Sequence, residues 1–142
     1  MAGLADIDLA TDDELTDYES EVVVLAADRS LSLDKYRALA MTTLRIEAQK
    51  DGVDEETVLE DPTDKRSLAM RDYATRLVLY YLWRDLSAGR EDAVTTAKAR
   101  LAREDADAAA ILFHEIGWPG AGGGSTVVKD SDVLPRILKL VV

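Results

Sequence analysis

Catalysis in this chain would have to begin from one histidine, His114, because there is no cysteine and no second imidazole. A zinc site on a helix needs a second histidine four residues further on, and His114-Glu115-Ile116-Gly117-Trp118 does not provide it. No G-x-S-x-G turn offers an activated serine either. His114 therefore reads as a structural or partly exposed residue. Carboxylates are abundant: Asp12 with Asp13, Asp54 with Glu55 and Glu56, Asp105 with Asp107. Acid–base catalysis needs two carboxyls whose surroundings drive their pKa values apart, and these pairs sit instead where caps and solvated faces are expected. The spacing of a calcium loop is absent, and Asp130-Ser131-Asp132 is too short to form one. Gly120-Ala121-Gly122-Gly123-Gly124-Ser125-Thr126 has the composition of a phosphate cradle but follows a helical pattern and lacks the Walker lysine. It reads as a flexible linker. The expectation is a protein that is not an enzyme and uses no cofactor or metal.

Size and charge set the frame for these residues. A chain of 142 residues makes one domain that can bury a core without disulfides or metals. Met1-Ala2-Gly3-Leu4-Ala5-Asp6 lacks the basic start and apolar run of a signal peptide. The longest apolar run, Leu77 to Trp83, falls far short of the ~20 residues that span a bilayer. A soluble protein with no membrane contact is expected. The net charge of -11 argues against gripping nucleic acid, which requires Lys and Arg to neutralise phosphates. Eighteen aspartates against six lysines and eleven arginines resemble the balance of salt-loving organisms, although a GC-rich genome favours the same residues.

Periodicity predicts four helices. Thr11-Asp12-Asp13-Glu14 has the pattern of a capping box, so the first helix starts at Thr11, carries Leu15, Tyr18, Val22 and Ala26 on one face, and ends near Asp28. The second, about 32–50, aligns Leu33, Tyr36, Ala40 and Leu44, while Leu39 and Ile46 form a separate stripe. Two greasy faces imply two neighbours, and Leu39 and Ile46 are candidate subunit contacts. Asp51-Gly52 is a turn, followed by a loop with one helical turn near Asp54. The third helix opens at Pro62-Thr63-Asp64 and runs to about Ser87; being apolar nearly all round from Leu77 to Trp83, it is the central helix. Tyr80, Tyr81 and Trp83 at helical spacing read as core rather than as a stacking platform. The fourth, about 90–116, aligns Val94, Ala97, Leu101, Ala108, Leu112 and Ile116 as its inward stripe. Asp105 falls on that stripe, which implies a bend or a solvent-exposed turn. Gly117-Trp118-Pro119-Gly120 ends the helix.

Beyond it comes the most unusual part of the sequence. Gly120, Gly122, Gly123 and Gly124 make a hinge, and the chain ends with Val133, Leu134, Ile137, Leu138, Leu140, Val141 and Val142. Burying such side chains is worth ~1.5–3 kcal/mol each, so this arm could anchor a partner by ~10 kcal/mol before ordering costs. Folding back onto its own domain is the other way to cover it. Val127 and Val128 suit a short strand, and Pro135 confines any strand to an edge or a break. The predicted organisation is an N-terminal segment 1–10, a helical body 11–118, a Gly-rich linker 119–126 and an apolar arm 127–142. The fold class is mainly α: a four-helix, bundle-like body with a Gly-rich hinge and an extended or short-β C-terminal arm.

This layout, from Thr11-Asp12-Asp13-Glu14-Leu15 through the apolar helix at Leu77–Trp83 to the arm, resembles the head-tail connector (adaptor) proteins of tailed viruses. The likeness is one of layout and sequence style, with no diagnostic motif. It implies a homo-oligomeric ring, commonly of twelve subunits, in the neck of the virion, made in the host cytoplasm. The partners it implies are the portal protein, which the arm residues Val133 to Val142 would contact, and tail or neck proteins, with DNA passing through without specific binding. A negative lumen would repel phosphate and keep the duplex mobile. The other reading is a small acidic cellular module that presents its C-terminal tail to one protein partner.

Overall fold

A computed structural model describes residues 3–88 and 93–120. They form five α-helices and two single 310 turns, with no strand among the described residues. The helices are α1 (Asp12–Tyr18), α2 (Val22–Asp28), α3 (Leu33–Lys50), α4 (Lys65–Ser87) and α5 (Ala93–Ile116). As its composition requires, α4 lies at the centre, packed most extensively on α5 and next on α3, with α1 touching it more lightly. It buries residues on nearly every side, including Met70, Tyr73, Leu77, Val78, Leu79 and Leu82. Its buried hydroxyls are satisfied: Thr75 donates to the Arg71 carbonyl at 2.8 Å, Tyr73 donates to Glu47 Oε1 at 2.8 Å, and Ser67 accepts from the Asp61 amide at 2.9 Å. Trp83 is also buried, whereas Tyr80 and Tyr81 lie half-buried at its flank.

Local chemistry sets the helix starts. The Thr11 hydroxyl accepts from the Glu14 amide while Glu14 reaches back to Thr11, closing the capping box. Ser32 caps α3 and Asp64 caps α4, each through its side-chain oxygen. The single helical turn in the loop is a 310 turn at Glu55–Thr57.

Two expectations need correction at the N-terminal end. The predicted first helix is two helices, α1 and α2, because the chain is extended at Glu19 (φ -141°, ψ 107°). There the Glu19 carboxylate accepts the Trp83 indole N–H at 3.1 Å, and the β-branched run Val22-Val23-Val24 gives little propensity to bridge the gap. The core stripe survives the break, with Leu15, Val22 and Ala26 buried and Tyr18 at the rim. Residues 3–10, expected only as a leading segment, belong to the core: Leu4 is fully buried and Ile7, Leu9 and Ala10 are nearly so. Two arginines strap them down. Arg71 donates to the Asp8 carbonyl at 3.0 Å and to Glu14 at 2.7 Å, and Arg37 donates to the Ala10 carbonyl at 2.6 Å.

The largest correction concerns α5. Of the stripe predicted to face inward, Val94, Leu101 and Leu112 are 65%, 55% and 45% exposed, and Ala108 is exposed as well. Ile116 is partly buried against the core. The buried face is Thr95, Ala106, Ala109 and Phe113, with Ala99 and Ala102 half-covered between them. Small side chains let α5 approach the bulky surface of α4 closely. The helix runs unbroken through Glu104-Asp105-Ala106-Asp107, and Asp105 points to solvent, 3.7 Å from the Arg76 guanidinium. Of the alternatives for that turn, exposure is the one realised.

Candidate functional site

The arm residues Val133, Leu134, Ile137, Leu138, Leu140, Val141 and Val142, and the hinge residues Gly122, Gly123 and Gly124, lie outside the described residues. What the structure does describe is the mount from which they depart. At the C-terminal end of α5, Gly117 takes a left-handed conformation (φ 102°), which turns the chain sharply off the helix axis. Trp118 then folds back into the body, only 4% exposed, and its indole N–H donates to Asp51 Oδ2 at 2.8 Å. The Trp118 ring stands edge-on to Phe113, with centroids 4.7 Å apart, and Phe113 in turn packs against Tyr73 at 5.7 Å. Pro119 is fully buried behind it.

Gly120, predicted as the first hinge residue, is wedged in place. It has φ 101°, and a Cβ there would stand 2.4 Å from the Thr57 carbonyl oxygen and 2.8 Å from the Leu59 amide. Both the left-handed backbone and the close approach demand glycine. The exit of the chain is thus locked against the loop at residues 57–59.

His114 belongs to this mount. Its Nδ1 lies 2.9 Å from Asp51 Oδ2, the same oxygen that accepts from Trp118, and its Nε2 lies 3.6 Å from Glu47 Oε2. Glu47 Oε1 accepts from the Tyr73 hydroxyl at 2.8 Å, while its buried Oε2 has no hydrogen-bond partner among the described residues. The facing Glu47 carboxylate, aided by Asp51 and opposed by burial, raises the His114 pKa above its usual value of ~6.5. Burial and the hydrogen bond to Glu47 likewise push the Tyr73 hydroxyl well above the ordinary tyrosine range. The group joins the C-terminal turn of α3, the first half of α4 and the end of α5. It has the makings of a clamp: charged and aromatic contacts across three elements. No cluster of three His, Cys, Asp or Glu able to hold a metal ion occurs among the described residues.

The predicted subunit contacts lie elsewhere. Leu39 is 38% and Ile46 49% exposed on the outer face of α3, away from the buried Tyr36, Ala40, Leu44 and Ala48. Ile46 borders a shallow groove of about 480 Å³ lined also by Thr42, Arg45, Gln49 and Glu55. Arg45 and Glu55 pair there through two hydrogen bonds of 2.9 and 2.8 Å. On the other side of α4, Leu101 borders a second groove of about 240 Å³, which holds Arg76, Lys98 and Asp105. Lys98 lies over the Trp83 ring at 4.6 Å.

Sequence reasoning missed the Trp118–Asp51–His114 clamp. The one available hint was a Trp-Pro pair directly after a helix, since an indole so placed needs a covered site and a polar partner. It also missed the outward face of α5. No helix of the described residues is long and apolar enough to cross a membrane. No protein-family model, no curated protein and no solved structure matches the chain.

Proposed function

We propose that this protein is a structural connector: a ring-forming adaptor in the neck of a tailed virus, sitting between the portal and the tail, whose C-terminal arm docks on the portal. The observation that carries this reading is the mount. An arm meant to hold two bodies together must leave its own body from a point that does not give, and Trp118, Pro119 and Gly120 are sealed against α3, α5 and the loop at 57–59. A load on the arm would pass directly into the helical core. A tail that merely signalled to a passing partner would gain nothing from so rigid a root.

Charge and surface agree with the role. A net charge of -11 suits a passage that DNA must slide through without being held. Apolar surface left over on α3 and α5 is what neighbouring subunits in a ring would cover.

The test is co-sedimentation of the purified chain with portal rings of the virus that encodes it, using the full chain and a form ending at Gly124. The full chain should pellet with the portal and the shortened form should lose at least tenfold in affinity. Equal binding by both forms would remove the arm from the mechanism, and no binding by either would overturn the connector reading.

A further inference from the structure

Two carboxylates crowd the C-terminal end of α3, where unpaired carbonyls already disfavour negative charge. Glu47 stands in the last turn and Asp51 is the cap. Among the described residues neither pairs with a lysine or arginine; the group set between them is the His114 ring, with Nδ1 2.9 Å from Asp51 Oδ2 and Nε2 3.6 Å from Glu47 Oε2. Each ring nitrogen thus faces an acceptor, and only the imidazolium offers a donor to both. When one proton is lost, the other is needed most at Nε2, because Glu47 Oε2 is buried and Glu47 Oε1 already holds the Tyr73 hydroxyl. A lone pair on Nδ1 is then aimed at Asp51. Asp51 has somewhere to go, since its side chain is 38% exposed, and its Oδ2 is also the acceptor of the Trp118 indole N–H. The remaining neighbours do not titrate against the ring: Tyr73 from α4, and Phe113 and Trp118 from its own stretch of chain, meet it with their aromatic faces or edges. Burial and Glu47, with Tyr81 and Asp107 adding to them, keep the Tyr73 hydroxyl neutral.

We infer that the second proton of His114 is a latch on the exit of the chain: while it is present Asp51 is held under the Trp118 indole, and on its loss Asp51 turns to solvent and Trp118 leaves its seat. Gly117 is the pivot. Its backbone is left-handed at φ 102° and a Cβ there would meet nothing within 4 Å, so the chain can swing at that point once Trp118 lets go, whereas Gly120 is wedged until then. The facing Glu47 carboxylate, with Asp51 behind it and burial against it, raises the His114 pKa above ~6.5. The latch is therefore closed at low pH, stays closed further up the scale than an ordinary histidine would allow, and opens as pH rises through the folded value. This device is built from contacts within the body and does not depend on what the arm binds.

The chain has one other tryptophan, Trp83, and it serves as an internal control. Its indole donates to Glu19 at 3.1 Å, whereas the only histidine stands against Trp118. Solvent exchange of both indole N–H groups is followed by NMR on the isotope-labelled full chain from pH ~6 to ~9, together with the titration of the His114 ring. Base catalysis speeds the two alike, so the ratio of Trp118 to Trp83 exchange reports opening of the latch alone. That ratio should rise ~10-fold, with the midpoint of the His114 titration. In His114→Gln it should not vary with pH. Glu47→Gln, which removes the facing charge, should move the His114 titration and the rise of the ratio to lower pH together. A flat ratio while His114 titrates overturns the inference. So does a rise that keeps its midpoint when Glu47→Gln shifts the ring, a rise that persists in His114→Gln, or equal acceleration of both indoles, which is loosening of the whole body. Should His114→Gln fail to fold, the paired shift in Glu47→Gln decides.

Discussion

The two sides of α5 are both apolar and have met opposite fates. The side against α4 is built of Ala106, Ala109 and Phe113, nearly or fully buried, while the side facing out presents Leu101, Ile111 and Leu112, each close to half exposed or more. Hydrophobicity alone would favour turning the helix around, since three large aliphatics stand to gain more from burial than two alanines and one phenylalanine. Shape prevailed. The surface of α4 that α5 must cover is already filled with large side chains, so alanines fit along the contact and Phe113 is taken up near the end of α5 beside Tyr73. The outward side keeps its large aliphatics at the surface.

Changes on the inner side should break the protein, and changes on the outer side should leave it folded. The largest loss is expected for Phe113→Ala, which removes the ring that joins Tyr73 to Trp118. It should cost about 3–5 kcal/mol in urea unfolding. Ala106→Leu would force bulk between α4 and α5 and should cost about 1–3 kcal/mol, although it makes the helix more apolar. A stabilised variant would show that the face is not close-packed.

Trp118→Phe keeps an aromatic ring but deletes the N–H that Asp51 accepts and part of the buried indole volume. The lost hydrogen bond should cost about 1 kcal/mol, at the low end for a bond to a charged group because Asp51 is 38% exposed, and the vacated volume adds to that cost. The mount should also be sensitive to pH. His114 has a raised pKa in the folded chain, so its contribution is complete below ~6.5 and declines as pH rises through the higher folded value. The melting temperature should therefore fall over that interval, with the slope flattened in His114→Gln; an unchanged slope would remove His114 from the clamp. Leu101→Ser and Leu112→Ser should stand at the other extreme, within about 0.5 kcal/mol of the parent in urea unfolding. Their effect should appear only in self-association, where Leu101→Ser weakens sedimentation-detected oligomers ~10-fold.

Legibility in the sequence follows the range of the interaction. The caps at Thr11, Ser32 and Asp64 span three residues or fewer, so the starts of α1, α3 and α4 were readable. Central placement of α4 was readable because its apolar character extends all round. The break at Glu19 was not, since its partner is Trp83, 64 residues away. Burial of Leu4 and Ile7 depends likewise on arginines from α3 and α4 that no local pattern announces. The exposed pair Leu39 and Ile46 was found because they are out of phase with the inward stripe of their own helix. The corresponding face of α5 was hidden, because its alanines weigh little in any periodicity.

By itself the sequence determined that this is a mainly helical, acidic chain, where three of its helices begin, which helix lies innermost, and that an apolar segment follows a run of glycines. Only the tertiary structure decided which side of α5 faces inward and that Gly120 is locked rather than free. The reason in both cases is contact between distant residues: alanines gain their value from the bulk of α4 opposite them, and Gly120 from a carbonyl at Thr57 that leaves no space for a Cβ.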